Sequence, residues 1–220
     1  MKKLSILLLA LLPGVALAEG NIALTGKFGT LGFGAELTAA LADSAHLRFG
    51  VNAYNWYADT TESGVDYDAT WRTRTASVIG DFLPIRDSTF RISVGLFYND
   101  NKLDLTADPD SGNTYEINGT TYTAAQIGTL TGKLTFNKTS PYIGVGWGNA
   151  FAKPYGWSFV LDVGALYQGK PKFSLSSNSA LCNADATCQA NLAAEQREAE
   201  EDLRSYRWYP VVSAGAVYRF

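Results

Sequence analysis

The last thirteen residues, WYPVVSAGAVYRF (208–220), decide the fold. Val212, Ala214, Ala216, Tyr218 and Phe220 are apolar at every second position, with Ser213, Gly215 and Arg219 between them. That is a strand with one apolar face. A soluble domain ending on such a strand would present an edge that invites aggregation. In a membrane the same strand closes a barrel: its apolar face meets lipid, and pairing with the first strand removes the edge.

The amino terminus agrees. Lys2 and Lys3 precede an apolar run over residues 4–12 that only Ser5 interrupts, and Ala16-Leu17-Ala18 is a small-residue cleavage site before Glu19. This is a secretory signal peptide, too short for an anchor, with cleavage expected between Ala18 and Glu19. Residues 1–18 are then the signal and residues 19–220 one domain. No Cys stands at the cleavage point, so lipid anchoring finds no support. Beyond the signal no run of ~20 apolar residues offers a membrane helix, which leaves the barrel as the way to span. Aromatics make up 13% of the chain, which suits the girdles of outer-membrane barrels. Without Lys2 and Lys3 the chain carries a net charge of about −5, which gives nucleic acid no footing. A soluble β-sandwich also alternates in period two. Here, however, apolar residues alternate with Gly and charge in every strand.

Taken in order, the chain reads as eight antiparallel strands and two long external loops, an all-β transmembrane barrel of outer-membrane type. The first strand is expected at residues 21–28, with a tight external turn near Gly29. Residues 30–41 put Leu31, Phe33, Ala35, Leu37, Ala39 and Leu41 toward lipid and Gly32, Gly34, Glu36 and Thr38 toward the lumen. After the turn at residues 42–44, Leu47, Phe49, Val51 and Ala53 face out, and Arg48, Gly50, Asn52 and Tyr54 face in. A polar loop is expected at residues 59–64. The strand ending near Leu83 turns Ala76, Val78, Gly80 and Phe82 outward and Thr75, Ser77 and Asp81 inward; on that parity Arg72 and Arg74 point outward at the level of lipopolysaccharide phosphates, unless a bulge turns them inward. Phe90 to Tyr98 follows the second short turn with Arg91 inside. A long excursion, residues 99–128, contains a hairpin around Asn118-Gly119. The chain returns over residues 130–150, where Pro141 marks a bulge or register change. A third short turn, residues 153–156, leads to a strand with Asp162 inside, and a second excursion, residues 174–205, has helical composition over residues 189–204. Short turns face the periplasm and long loops the exterior.

The lumen candidates are Glu36, Arg48, Tyr54, Asp81, Arg91, Asp162 and Arg219, with Lys133 a further one. Two arrangements use the same residues: a neutralised polar core in which the charges pair, and a narrow polar passage. The expected function is passive uptake of small polar or cationic solutes. The alternative is a closed structural or adhesive barrel whose acidic external loops, with Asp104, Asp108, Asp110 and residues 195–202, bind a partner or stabilise the envelope. Cys182 and Cys188 lie six apart in an external loop, and the oxidising periplasm favours a disulfide; a metal pair would want further ligands. His46, the single histidine, sits beside a periplasmic turn, on the wrong side for lipid A chemistry at the outer leaflet. No catalytic residue, cofactor or metal is expected. The sequence Gly128-Thr-Leu-Thr-Gly-Lys133 is one residue short of a phosphate loop and precedes no helix.

The terminal Phe220, with Tyr218 two residues before it, resembles the assembly signal of bacterial outer-membrane proteins, which implies recognition by the barrel-assembly machinery during insertion. A broader resemblance runs over residues 29–220. It is carried by Gly29-Thr-Leu-Gly-Phe-Gly-Ala35, Asn118-Gly119 with Tyr122, Gly132-Lys133 with Phe136, and Pro141-Tyr142-Ile143-Gly144. Gly164-Ala-Leu-Tyr167 with Gly169, Pro171-Lys172 and the Trp208-Tyr209-Pro210-Val211 run extend it. On these residues the chain resembles the small outer-membrane porins of the carbapenem-associated, CarO type. The resemblance implies a monomeric eight-stranded barrel in the Gram-negative outer membrane, in contact with its lipid and lipopolysaccharide, lacking an obvious wide pore, with proposed uptake of basic amino acids such as ornithine. The chain departs from that pattern in ending on Phe220 rather than Trp and in its Cys182 and Cys188 loop.

Overall fold

The computed structural model describes residues 21–62, 65–85, 88–109 and 114–220. The signal segment with its Ala18 and Glu19 junction lies outside the described residues, as does Asp110. In chain order the strands are β1 (Ile22–Gly29), β2 (Gly32–Ala42), β3 (Ala45–Glu62), β4 (Val65–Phe82), β5 (Phe90–Asn99), β6 (Lys102–Pro109), β7 (Thr114–Ile117) and β8 (Thr120–Thr123). They continue with β9 (Leu130–Thr135), β10 (Thr139–Trp147), β11 (Gly156–Tyr167), β12 (Lys172–Ser177) and β13 (Trp208–Arg219). Eight of them close a ring through antiparallel pairs in the order β1, β2, β3, β4, β5, β10, β11, β13. The closure runs from Ala23 opposite Arg219 to Gly29 opposite Ser213, so the last strand seals against the first and leaves the ring no edge.

Alternation sorts the ring into two surfaces. Leu24, Phe28, Phe33, Val94, Ile143 and Phe159 are exposed on the outside, an apolar band that makes sense against lipid and not against water. Aromatic pairs stand at both margins. Trp147 meets Phe90 and Trp157 meets Tyr218 at the end with the short turns, while Tyr167 meets Trp208 at the other, with ring centroids 5.9, 5.2 and 4.9 Å apart.

The structure departs from the sequence expectations where the chain leaves the membrane. Residues 59–62 are strand rather than loop, because β3 and β4 pair from Ala45 opposite Phe82 up to Glu62 opposite Val65, well beyond the rim. The segment read as one strand over residues 130–150 is two, β9 and β10, and only β10 belongs to the barrel. Pro141 causes no bulge. It pairs with Leu96 in unbroken register, at the point where pairing with β11 has not yet begun, so its missing N–H interrupts no ladder. The external turn is Thr30 and Leu31, and Leu31 tucks into the interior at 5% exposure instead of facing lipid.

The two excursions fold together into one external layer. The upper half of β4 pairs with β6, β6 with β9, and β9 with β12, extending the barrel wall sideways as a sheet. The sheet is two-faced. Leu103, Leu134 and Phe173 lie across from one another on one face, and Asp104, Lys133 and Ser174 on the other. The hairpin β7–β8 turns on Asn118 (φ 48°) and Gly119 (φ 71°), as their tolerance of positive φ requires. Among the described residues three α-helices follow: α1 (Ala124–Ile127), capped by Thr123, α2 (Ala180–Ala184) and α3 (Ala186–Asp202), whose N-cap Asp185 accepts from the Thr187 N–H. Tyr115, Ile117, Tyr122, Ile127, Leu130 and Leu192 pack with the disulfide-bonded Cys182 and Cys188 into a core of their own.

Candidate functional site

Arg48 organises the interior. It projects from β3 and reaches three carboxylates: Asp81 of β4 at 2.7 Å, Glu36 of β2 at 3.1 Å and Asp162 of β11 at 3.3 Å. Asp162 also accepts from Arg91 of β5 at 2.7 Å, and Glu36 from Lys27 of β1 at 2.7 Å. Ser93 donates to Asp81 at 2.6 Å and accepts from Arg48 at 3.2 Å. Arg91 further donates to the carbonyl of Gly148. Three cations meet three anions, so the buried network is neutral. In a lumen just wide enough for side chains, each charge loses hydration and recovers it from its partners.

The guanidinium groups need space, and small residues supply it. A Cβ at Gly146 would stand 2.8 Å from the guanidinium carbon of Arg91, and one at Gly164 would stand 2.5 Å from the Tyr142 hydroxyl. The ring of Tyr142 thus lies over glycine, and Phe97 packs on it with centroids 5.3 Å apart. Leu31, Ile79, Leu166 and Val211 complete an apolar cluster with these two rings. Phe97 and Leu166 come near the external ends of β5 and β11, and Leu31 from the external turn, so this layer sits above the charges. Between the layers remains a cavity lined by Lys27, Arg48 and Asp162 below and Phe97, Tyr142 and Leu31 above, with room for about one water.

Of the residues expected along the lumen, Glu36, Arg48, Asp81, Arg91 and Asp162 meet in this one network. Tyr54 does not. It is 46% exposed and stands edge-on to Phe33 at 6.1 Å, because β2 begins at Gly32 (φ 90°) and β3 has no neighbour on that side above it. Lys133 lies on the exposed face of β9, outside the barrel. Arg219 sits at the periplasmic end, donating to the carbonyls of Phe151 (3.1 Å) and Lys153 (2.7 Å) and covering the Phe151 ring. His46 packs on the same ring at 4.8 Å. Arg72 is paired with Asp104, whereas Arg74 points outward and exposed. Tyr218 and Phe220 stack edge to face at 5.2 Å on the outer wall. The sequence reading missed Lys27, although Ala23 and Thr25, both buried, share its face and alternate with exposed Leu24 and Phe28. It also missed the apolar layer.

The acidic residues outside are partly committed too. Glu195 accepts from the Asn118 N–H at 3.1 Å, Glu200 from the Phe173 N–H at 3.0 Å, and Asp108 from the Thr129 hydroxyl at 3.0 Å. They tie α3 and the loops to the sheet, which weakens the expectation of an open acidic mouth.

A closed ring of eight antiparallel strands with a lipid-facing apolar wall, two aromatic margins and a charged interior defines an outer-membrane β-barrel, and the bacterial outer membrane is where this chain resides. No family model matches the sequence, and no curated protein matches it. Among solved structures it is similar to CarO2 of Acinetobacter baumannii, at 25% identity over 90% of this chain and 98% of that chain, with a TM-score of 0.59. It is also similar to CarO of Acinetobacter baumannii, at 23% identity over 94% of this chain and 100% of that chain, again with a TM-score of 0.59. The chain is thus an outer-membrane barrel similar in fold to CarO.

Proposed function

We propose that the protein is a closed, monomeric barrel that anchors a folded external layer at the cell surface and presents that layer to a partner. The observation that carries this reading is the interior itself: a charge network reaching from β3 to β11 with an apolar layer stacked above it. Every carboxylate in the network already accepts from a cation, so a passing cationic solute would have to displace Arg48 or Arg91. The external layer, by contrast, has its own core and a disulfide, more structure than a loop needs merely to join two strands. Arg74 is exposed at the external margin, and in this reading it would meet lipopolysaccharide phosphate.

A second reading keeps the narrow passage for small polar or cationic solutes, such as basic amino acids, that the family resemblance implies. What favours it is the position of Leu31: one side chain on a two-residue turn forms part of the upper layer, above a cavity lined by Lys27 and Asp162. Swelling of liposomes carrying the refolded protein separates the two. Closed-barrel function predicts no swelling in arginine or ornithine beyond that of empty liposomes, and solute-dependent swelling would support the passage.

A further inference from the structure

The external sheet has two lateral edges, and they are treated differently. At β12 the edge is covered. Glu200 of α3 accepts from the Phe173 N–H at 3.0 Å and Gln196 from the Leu175 N–H at 3.5 Å, so the helix satisfies alternate donors of the outermost strand. At the other side the outermost strand is the upper half of β3. Its pairing with β2 ends at Ala53 opposite Phe33, while its pairing with β4 continues to Glu62. Residues 54–60 are all exposed, and no backbone hydrogen bond crosses their open side among the described residues. Proline, a bulge and lysine, three of the usual protections of a free edge, are missing from this stretch, whose one charge is Asp59.

We propose that this edge of β3, residues 54–60, receives an extended polypeptide segment in which apolar residues alternate with Lys or Arg; the proposal rests on the reading of the external layer as a binding platform. Strand addition supplies affinity through main-chain hydrogen bonds and specificity through alternate side chains. Here the two faces ask for different side chains. Tyr54 and Trp56, 46% and 65% exposed, lie on the face continuous with the lumen, where an incoming apolar residue would pack. Asn55, Tyr57 and Asp59 lie on the other face, and Asp59 stands directly opposite Asp68 of β4. Two carboxylates side by side repel, and no Lys or Arg occurs between Arg48 and Arg72 to relieve them. A cation from the partner would. The same charge disfavours a second copy of this chain as the occupant, since edge-to-edge pairing would set one acidic hairpin against another.

The test uses the full-length refolded protein in nanodiscs and a synthetic ten-residue peptide of alternating Val and Lys, with binding followed by calorimetry. Three comparisons decide. Of two peptides N-methylated at the odd or at the even residues, both of unchanged charge, the one whose methyl groups face the β3 edge should bind at least tenfold more weakly than the unmodified peptide and the other should not; the peptide with Glu in place of Lys should also bind at least tenfold more weakly. Asp59→Lys, an exposed substitution, should weaken binding of the Lys peptide tenfold or more and strengthen that of the Glu peptide. Equal binding of both N-methylated peptides would overturn strand addition, and equal binding of the Glu peptide would overturn the charge preference. A dimer that dissociates when the peptide is added would overturn the choice of occupant in favour of a second copy. No binding by any peptide would overturn the proposal while leaving the closed barrel standing, because closure is read separately, by solute flux.

Discussion

Arg48 and Asp162, 114 residues apart in sequence and 3.3 Å apart in space, belong to strands that lie diametrically opposite in the eight-membered ring. One ion pair therefore crosses the whole lumen. The contact braces the barrel wall against itself, and it occupies the axis along which a solute would have to travel.

Removing that brace should be costly. Arg48→Met leaves Glu36, Asp81 and Asp162 sharing two cations, Lys27 and Arg91. Breaking one partner of a buried ion network typically destabilises by about 3–5 kcal/mol. The expected result is a clear fall in the urea midpoint in detergent. Arg48→Lys should recover part of the loss but not the fork geometry that serves three carboxylates at once. An unchanged midpoint for Arg48→Met would show that the network contributes packing and little else.

The apolar layer makes a separate prediction. Phe97, 2% exposed and packed against the tilted ring of Tyr142, should cost roughly 3–5 kcal/mol when replaced by Ala, the usual range for a buried aromatic. Phe97→Leu should cost far less. The comparison is read from the same unfolding curves.

In the external layer the disulfide closes a ring of six-residue separation. Loop-closure entropy for so short a ring amounts to roughly 2 kcal/mol. Replacing both cysteines with Ser should therefore raise amide exchange in β12, α2 and α3 while leaving the barrel strands protected. Uniformly faster exchange throughout the barrel would contradict the separation of the two cores.

Tyr115 gives the external layer an alkaline limit. Burial, with Tyr67 and Asp108 adding to it, pushes its phenol up to about 12. In the unfolded chain the group ionises near ~10. The folded state thus favours the protonated phenol, and that contribution is intact below pH 10 and lost as the pH rises through 12. Near-ultraviolet dichroism of the external layer should report the loss, and Tyr115→Phe should abolish its steepening between pH 10 and 12. Parallel profiles for the two proteins would remove Tyr115 as the cause.

Alternation along the strands made the ring legible from the sequence, and with it the inward parity of Glu36, Arg48, Asp81, Arg91 and Asp162, because lipid and lumen impose opposite demands on neighbouring residues. Outside the membrane that contrast disappears. Residues 59–62, with Asp, Thr and Glu, have loop composition yet lie in a strand, since water accepts polar side chains on a sheet's outer face. The extension through β6, β9 and β12 was hidden for the same reason. Leu31 was misread because periodicity assumes a strand, and Leu31 belongs to a turn, free of that rule. Who pairs with whom across the lumen depends on shear and on the room left by Gly146 and Gly164, neither of which any one segment reveals.

The most direct measurement of closure is single-channel current through the refolded wild-type barrel in a planar bilayer, set beside the Leu31→Ala/Phe97→Ala/Arg48→Ala triple variant at matched folded fraction. Closure predicts a silent wild type with openings only in the variant, where both layers have been thinned. Discrete wild-type openings that arginine or ornithine blocks would contradict it and establish the passage instead.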